Sequence, residues 1–300
     1  MSDLSAHNNQ KTDCPACHCQ KGRLLGTCND YAQWQCDRCR TVFAGIRAGS
    51  ESASQLYDHY YDQARFEISP VVAVSLDRLV CSFSSFRVTG RVLDIGYGEG
   101  GLLRIAGNQG WKCYGADISP TALKYGENNG WVVSADAESD PRFPDHGFDV
   151  VTMIEFLEHV PEPGQFLQAA ARWLRPGGLL YLTTPNAASL NQRFLGLEWS
   201  IFSPPEHLTI WTAKGLSQAL TESGFQIQRI RTEGFNPSEL IARYRPDKTM
   251  RETVSRNQAG LALNTAFSST PFRRLLKSGI NHCLSAFRAG DSLKVRAVRS

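Results

Sequence analysis

The stretch VLDIGYGEGG, residues 92–101, decides the fold because an apolar run ends there in an acid and a series of glycines. The run is typical of a short buried strand, and it stops at Asp94. Glycines then occupy alternate positions, namely Gly96, Gly98 and Gly100. The residues LLRIAGNQG that follow are typical of a helix ending at Gly110. A strand, a glycine turn and a helix form the first βα unit of a doubly wound sheet.

The spacing of the glycines indicates which ligand the turn binds. A dinucleotide fingerprint reads G-x-G-x-x-G and receives a pyrophosphate, whereas this turn reads G-x-G-x-G with an acid before it. A carboxylate at that place repels phosphate and suits a ligand with a cationic group. Two further predicted strands, in WKCYGADIS and WVVSAD, end at Asp117 and Asp136, which can meet a ribose and an adenine amino group. The pattern therefore favours a neutral or cationic nucleoside.

The other predicted elements complete an α/β fold. The runs FDVVTMI, LLYLTT, GFQIQRIRTEG and DSLKVRAVRS bring the predicted strands to seven, with an antiparallel finish. Two helices are expected before the sheet, in SQLYDHYYDQARF and SPVVAVSLDRLVCSF. A later helix has Ser119 as N-cap, Pro120 as first residue and Gly130 as terminator. In GQFLQAAARWL one helical face carries Phe166, Leu167, Ala170, Ala171 and Leu174.

These motifs together carry a family resemblance. In their order along the chain, VLDIGYGEGG, GADIS, SADAE, FDVVTMIEFLEHVPEP and LRPGGLLYLTTPN resemble the class I S-adenosylmethionine-dependent methyltransferase family over roughly residues 55–240. The resemblance implies a doubly wound, mostly parallel seven-stranded sheet of Rossmann-like type, with S-adenosylmethionine as cofactor. It also implies an enzyme that transfers a methyl group.

The resemblance further implies the cofactor-binding residues. Around the methionine part of the cofactor it places Asp94, Gly96, Tyr97, Gly98 and Gly100. It places Asp117 at the ribose, with Ile118 beside it, and Asp136 with Ala137 at the adenine. Glu155 either contacts the cofactor or caps the end of its strand. Tyr97 departs from the family, which often has a small residue or a cysteine between the first two glycines.

Two histidines are the candidate catalytic residues. Methyl transfer to a hydroxyl needs a base, and imidazole is suited to that role near neutral pH. The motif EFLEHV follows the fourth strand and contains Glu155, Glu158 and His159, while SPPEHLTIW follows the fifth and contains Glu206 and His207. His207 is the better-placed base. For both histidines a structural role is the alternative, and for His159 packing within the turn around Pro161 is preferred.

The cysteines near the N-terminus predict a zinc ribbon. Residues 14–39 contain two Cys-x-x-Cys pairs, a spacing typical of a four-cysteine zinc site. The predicted ligands are Cys14, Cys17, Cys36 and Cys39, and the spare donors are His18, Cys19 and Cys28. Residues 1–47 resemble the zinc-ribbon family. Whether the ribbon recognises a partner or caps the next domain is left open by the sequence.

The remaining chain, residues 48–300, is expected to form the methyltransferase domain with a basic helical insertion at about 236–290. Residues 241–300 carry twelve Lys or Arg against three Asp or Glu, a surplus of nine positive charges. Because the whole chain is +3, residues 1–240 carry six net negative charges. The run FRRLLKSGINHCLSAF can contact an anionic membrane or pack on the domain, and packing is preferred. The positive tail also suits a phosphorylated substrate.

Composition and charge limit the function. A hydrophobic content of 42% with 20% charged residues excludes a disordered or fibrous chain. The polar start without a signal peptide predicts a cytoplasmic protein. The favoured function is methyl transfer, preferably to oxygen, on a sugar, polysaccharide precursor, quinone or secondary metabolite. Alternatives are an RNA methyltransferase whose ribbon holds RNA and a non-catalytic cofactor-binding scaffold. The acidic catalytic part argues against nucleic acid.

Overall fold

The N-terminal part forms two small antiparallel sheets. The structure is a computed structural model that describes residues 9–10, 13–47, 68–244, 279 and 282–300. Strand β1 (Asn9–Gln10) pairs with β5 (Ile46–Arg47), and β2 (Gly22–Cys28), β3 (Tyr31–Cys36) and β4 (Val42–Ala44) lie side by side. A fourth strand, β11 (Thr209–Ile210), joins this sheet next to β4, although it lies far along the chain.

The larger sheet, which lies in the rest of the chain, has seven strands. They are β6 (Arg91–Ile95), β7 (Lys112–Ala116), β8 (Val132–Ser134), β9 (Phe148–Ile154), β10 (Leu174–Pro185), β12 (Phe225–Glu233) and β13 (Ser292–Arg299). Their order across the sheet is β12-β13-β10-β9-β6-β7-β8. Strand β13 is antiparallel to both of its neighbours, β12 and β10. The strands β10, β9, β6, β7 and β8 are all parallel to one another. The order reverses beside β6, where ligands of doubly wound folds bind beyond the carboxyl ends of the strands.

Helices cover both faces of the larger sheet. They are α1 (Pro70–Cys81), α2 (Gly101–Asn108), α3 (Pro120–Asn128), α4 (Pro163–Trp173), α5 (Leu190–Leu195), α6 (Ala213–Glu222) and α7 (Ser238–Tyr244). Short 3₁₀ turns occupy Ser84–Phe86 and Gly196–Glu198. Among the described helices, none has both the length and the apolar character needed to cross a membrane.

The strands are buried on both sides, as the strands of a parallel sheet must be. In β6, Val92 packs with Val80 and Leu103 on the face covered by α1 and α2. Its neighbour Leu93 points to the opposite face and packs in the core that α4 and α6 cover. Successive side chains of a strand alternate between faces, so the continuous apolar runs of the sequence supply both cores.

The structure confirms the predicted seven-stranded α/β fold. The helix predicted from Ser119 to Gly130 is α3, and the Ser119 hydroxyl accepts a hydrogen bond from the backbone N–H of Ala122. One boundary differs, because Leu174 belongs to β10 rather than to the preceding helix. The Arg-Pro-Gly-Gly sequence that follows it shifts the register of the strand between Leu174 and Leu179.

Some predicted elements lie outside the described residues. They include the helix expected in SQLYDHYYDQARF, residues 54–66, and the first half of the amphipathic run at residues 272–287. Of the preceding helices, the one predicted in SPVVAVSLDRLVCSF is α1.

Gly115 in β7 provides a test of the packing. A Cβ at this position would lie 2.5 Å from the buried ring of Tyr97 and 3.1 Å from Leu103. We expect Gly115→Ala to lower the free energy of unfolding by about 1–3 kcal/mol because the core has no room for a methyl group. Thermal unfolding measures the change. Gly164→Ala is the control, since nothing lies within 4 Å of the point that a Cβ would occupy there; equal melting temperatures of the two variants would contradict the described packing.

Candidate functional site

Asp94 lies near the end of β6, beneath the glycine turn. The carboxyl group is 4% exposed and accepts a 2.6 Å hydrogen bond from the hydroxyl of Thr152 in the neighbouring β9. The pKa of Asp94 is raised to about 7, mainly by burial; the Thr152 hydrogen bond opposes this increase, and the charge of Asp117 contributes a smaller part of it. The group is therefore close to half-ionised at neutral pH, and a nearby cation would stabilise its charged form.

Asp117 follows β7 and fixes the glycine turn. Its two carboxylate oxygens accept hydrogen bonds from the backbone N–H groups of Gly98 and Ser119, both at 2.9 Å. Burial raises the pKa of Asp117, while these two hydrogen bonds lower it. A carboxylate has about four acceptor positions, so two further donors, such as ribose hydroxyls, can still be accommodated.

The turn itself is lined by backbone rather than by side chains. Gly96, Gly98 and Gly100 have φ angles of 68°, 50° and 68°. A Cβ on Gly96 would lie 2.5 Å from Phe156, and one on Gly100 would lie 2.5 Å from Trp131. These two glycines therefore make room for aromatic rings of the protein as well as for the shape of the turn.

Tyr97 turns its side chain away from the glycine turn. It is 5% exposed and packs in the hydrophobic core with Val133. Its ring lies edge-on to Trp131, with centroids 6.1 Å apart. The bulk by which Tyr97 departs from the family pattern is therefore accommodated by the absence of a side chain at Gly115 and Gly126.

The third predicted contact lies after β8. Asp136 is exposed, and its carboxylate accepts a hydrogen bond from the backbone N–H of Ser139. Hydrogen bonds from Ser139 lower the pKa of Asp136. The adjacent Ala137 is buried, whereas Ile118 is 48% exposed at the same edge of the sheet. An exposed isoleucine beside two acidic residues offers apolar contact area for a flat ring.

Two glutamates follow β9 at the same edge of the sheet. Glu155 is exposed and has a φ of 49°, and its N–H donates to the carbonyl of Thr183. Glu158 is fully buried and accepts a 2.9 Å hydrogen bond from the hydroxyl of Thr184 through Oε2. Among the described residues, its Oε1 has no hydrogen-bond partner. Burial and the nearby Glu155 carboxylate raise the pKa of Glu158 well above its ordinary value.

The structure brings His159 and His207 together, with ring centroids 4.7 Å apart. The Nδ1 of His159 lies 2.8 Å from the carbonyl oxygen of Glu206, and the Nδ1 of His207 lies 2.7 Å from that of Ile201. A carbonyl oxygen only accepts hydrogen bonds, so both Nδ1 atoms carry the proton. In the neutral ring of His207 the lone pair is then on Nε2. Burial, followed by repulsion from His207, lowers the pKa of His159.

Residues 199–212, here called the bridging segment, hold His207 at this edge. The backbone N–H groups of Leu208 and Thr209 donate to the carbonyl of Glu158 at 2.8 and 3.1 Å. Ala187, just after β10, donates to the carbonyl of Trp211. The segment is therefore anchored to the ends of both β9 and β10, next to the glutamates.

The four predicted zinc ligands form one cluster. Cys14, Cys17, Cys36 and Cys39 are at most 3% exposed, and their sulfur atoms lie within 4.8 Å of one another. The pairs Cys14–Cys39 and Cys17–Cys36 are 3.6 and 3.5 Å apart. A tetrahedral ion with Zn–S bonds of about 2.3 Å sets sulfur atoms about 3.8 Å apart, so the cluster fits zinc. Burial raises the pKa of Cys17 to about 12, a cost that a cation would offset.

The three spare donors lie elsewhere. The Cys19 thiol contacts the carbonyl of Lys21, and the Cys28 thiol donates to the carbonyl of Phe202. His18 extends toward Glu222 with 75% of its side chain exposed. A second group with metal-ligand geometry consists of Glu158, His159 and His207, whose ligand atoms also lie within 4.8 Å of one another.

Sequence reasoning missed several residues that shape the site. Thr152 and Thr184 hold Asp94 and Glu158, and both are buried threonines that follow apolar residues in their strands. A hydroxyl inside such a run is a signal that a polar group on a neighbouring strand needs a partner. The pairing of β11 with β4 has no comparable signal, because β11 has only two residues.

Comparison with known proteins identifies the class. The sequence profile of the Methyltransf_23 family, described as "Methyltransferase domain", matches residues 71–230. This range covers more than half of the chain, and the chain belongs to that methyltransferase family. The matched range runs from α1 to β12 and includes both carboxylates and both histidines of the site.

Individual relatives agree with the family. The chain is 32% identical over 152 residues to the ubiquinone biosynthesis O-methyltransferase of Nitrosomonas europaea, a match that covers 45% of this chain and only 61% of that protein. It is 30% identical to the enzyme of the same name from Paracidovorax citrulli, over 51% of this chain and 70% of that protein. A SAM-dependent methyltransferase structure from Archaeoglobus fulgidus superposes with a TM-score of 0.51 at 23% identity, covering 82% of this chain and 99% of that one, and shows the same fold.

The proximity of the two histidines predicts a measurable coupling. We expect His207→Gln to raise the pKa of His159, because the substitution removes the second imidazole that disfavours a proton on the first. An NMR titration of the histidine ring nitrogens measures the change. His146→Gln is the control, since His146 lies near Leu174 at the start of β10, whereas His159 follows the end of β9. An unchanged His159 titration in His207→Gln would show that the two rings are not coupled.

Proposed function

We propose that this chain is an S-adenosylmethionine-dependent O-methyltransferase that acts on the hydroxyl group of a small molecule. The observation that carries the proposal is the pair of buried carboxylates, Asp94 and Asp117, around a glycine turn in a member of a methyltransferase family. The relatives in Nitrosomonas europaea and Paracidovorax citrulli are O-methyltransferases of ubiquinone biosynthesis. Their names favour a hydroxylated quinone precursor over a sugar or another metabolite.

The cofactor site follows from the carboxyl ends of β6, β7 and β8. Asp94 offers negative charge to the cationic part of the nucleoside, and Asp117 offers its remaining acceptor positions to the ribose. Asp136 and Ala137 lie where an adenine is expected, with Ile118 offering an apolar contact. When bound, S-adenosylmethionine supplies an electrophilic methyl group on a positively charged sulfur. The protein aligns the acceptor oxygen with that methyl group, and alignment alone contributes several kcal/mol.

We assign His207 as the base that removes the acceptor proton. The backbone carbonyl of Ile201 fixes its tautomer, and the Nε2 lone pair then accepts the proton. The fixed ring orientation lowers the reorganisation needed for proton transfer. His159 packs against it and donates to the carbonyl of Glu206, a positioning role for the bridging segment.

The buried Glu158 favours a second way of activating the acceptor. Its Oε1 has no hydrogen-bond partner within the described part of the chain, and it stands beside two imidazoles. One carboxylate and two imidazoles suit a divalent transition metal. A metal held by these side chains would polarise the acceptor hydroxyl and lower its pKa.

We further propose that Cys14, Cys17, Cys36 and Cys39 hold a structural zinc ion. The support is the burial of all four thiols and their mutual spacing. A structural site uses all four ligands and leaves no open position, so this ion takes no part in methyl transfer.

Asp94 makes cofactor binding depend on pH. A cationic ligand binds the ionised carboxylate, and the pKa of Asp94 is raised to about 7. We therefore expect the affinity for S-adenosylmethionine to fall as the pH drops from 8 to 6, approaching tenfold per unit below pH 7. Calorimetry across this range measures the effect.

Matched variants separate this effect from general loss of structure. Asp94→Asn should bind weakly at every pH, whereas Asp145→Asn, which removes a half-exposed carboxylate paired with Arg172, should retain the pH dependence. A pH dependence that persists in Asp94→Asn would remove this carboxylate from cofactor binding.

His207 is tested by turnover. With a methyl-labelled cofactor and a panel of hydroxylated quinone precursors, catechols and nucleotide sugars, we expect methylation of at least one class by the natural protein. His207→Ala should lower kcat by about 10²–10⁴-fold and leave the cofactor Kd unchanged, because a base acts on the acceptor. Activity that is lost with EDTA while the ribbon zinc stays bound, and that is restored by a divalent metal, would assign the acceptor side to the metal instead. Unchanged kcat in His207→Ala without a metal requirement would reject the base.

A further inference from the structure

The cysteine ribbon and the acceptor side of the site meet in the bridging segment. Strand β11 lies within the segment and pairs antiparallel with β4 of the ribbon, with Thr209 opposite Phe43 and Ile210 opposite Val42. The N–H of Ala44 donates to the carbonyl of Leu208 at 2.8 Å. On its other side, the N–H of Leu208 donates to the carbonyl of Glu158. A single residue thus connects the ribbon to the loop that carries His159.

Side chains reinforce this connection at two other points. Asn29, in the β2–β3 turn, donates through Nδ2 to the carbonyl of Pro204 at 2.9 Å, three residues before His207. The hydroxyl of Thr212 donates to the carbonyl of Cys39 at 2.6 Å. The same hydroxyl accepts a hydrogen bond from the N–H of Gly215, so Thr212 is the N-cap of α6. The ribbon therefore forms side-chain hydrogen bonds with the bridging segment both before and after His207.

Apolar packing makes the contact continuous. Val42 and Ile210 belong to the same buried cluster as Trp199 and Phe202. Gly215 lies directly against the second Cys-x-x-Cys turn, which contains Cys39. A Cβ on Gly215 would overlap the Thr41 hydroxyl and lie 3.3 Å from the Cys39 sulfur. At Gly215 the ribbon and α6 are thus packed without room for one methyl group.

We propose that the ribbon is a positioning element of the acceptor site, which holds the bridging segment so that His207 faces the loop of Glu158 and His159. The cysteine cluster fixes the two Cys-x-x-Cys turns of the ribbon. These turns and β4 hold the bridging segment, and the bridging segment holds His207. The proposal rests on the proposed function, because the segment is assigned to the acceptor side. The cofactor side is independent of it, since Asp94 and Asp117 are held by Thr152 and by the glycine turn.

Gly215→Ala is the sharpest test because it inserts one methyl group between the ribbon and α6. Within a helix this change is intrinsically favourable, so any loss comes from the contacts of the new methyl group with the ribbon, above all with the Thr41 hydroxyl. We expect the amides of Leu208 and Thr209 to exchange hydrogen at least tenfold faster. For the preferred acceptor we expect kcat to fall about tenfold, with the Kd for S-adenosylmethionine unchanged within twofold and zinc still bound.

Two controls make the result specific. The double variant Gly215→Ala/Thr41→Ala removes the closest contact, with the Thr41 hydroxyl, and should restore most of the exchange protection and of kcat. Gly164→Ala introduces the same methyl group in α4, where nothing lies within 4 Å, and should change neither. Should Gly215→Ala fail to fold, Asn29→Asp replaces the donor to Pro204 with an acceptor of the same shape and is expected to act in the same direction.

The exchange measurement also separates this proposal from the proposed function. If no acceptor is methylated, the proposed function fails, while exchange at Leu208 and Thr209 in zinc-loaded and zinc-depleted protein still tests the ribbon. Faster exchange at Ala44 with unchanged protection of Leu208 and Thr209, or unchanged kcat in a variant whose ribbon is loosened, would overturn the positioning role.

Discussion

The carboxylate of Asp117 fixes the geometry on which the cofactor side depends. It joins three parts of the chain, because it follows β7, accepts from the glycine turn at Gly98 and accepts from the start of α3 at Ser119. Asp94 lies buried nearby, and burial is the main cause of its raised pKa, to which the charge of Asp117 adds. A site of this kind is unfavourable for phosphate and gains stability from a cation. That electrostatic preference distinguishes this member of the doubly wound folds from dinucleotide-binding proteins.

The acceptor side has a different construction. Its residues come from the loops after β9 and β10, and they are held by backbone hydrogen bonds rather than by a regular turn. The ribbon completes this side, because one edge of its sheet is the strand β11 from the bridging segment. The boundary near residue 47 in the sequence is therefore crossed by a continuous sheet. The ribbon and the bridging segment are packed against each other in a buried contact. A shift of the ribbon therefore displaces the segment that carries His207.

The sequence predicted the seven strands, the glycine turn and the four clustered cysteines, because each depends on local pattern and spacing. The direction of the Tyr97 ring could not be predicted from the local sequence, since it depends on Gly115 and Gly126, which come later in the chain. The contact between His159 and His207 was also beyond local pattern. The two residues lie on separate loops, and only the hydrogen bonds of the bridging segment to Glu158 bring their rings together.

We assign the glycine turn and its two carboxylates to the binding of a cationic sulfur nucleoside. Parallel calorimetric titrations of the full chain with S-adenosylmethionine and with NAD⁺ at pH 8 test it most directly. We expect saturable binding of one S-adenosylmethionine per chain and no binding of NAD⁺, because Asp94 is then ionised and repels a pyrophosphate. Binding of NAD⁺ without binding of S-adenosylmethionine would contradict this assignment.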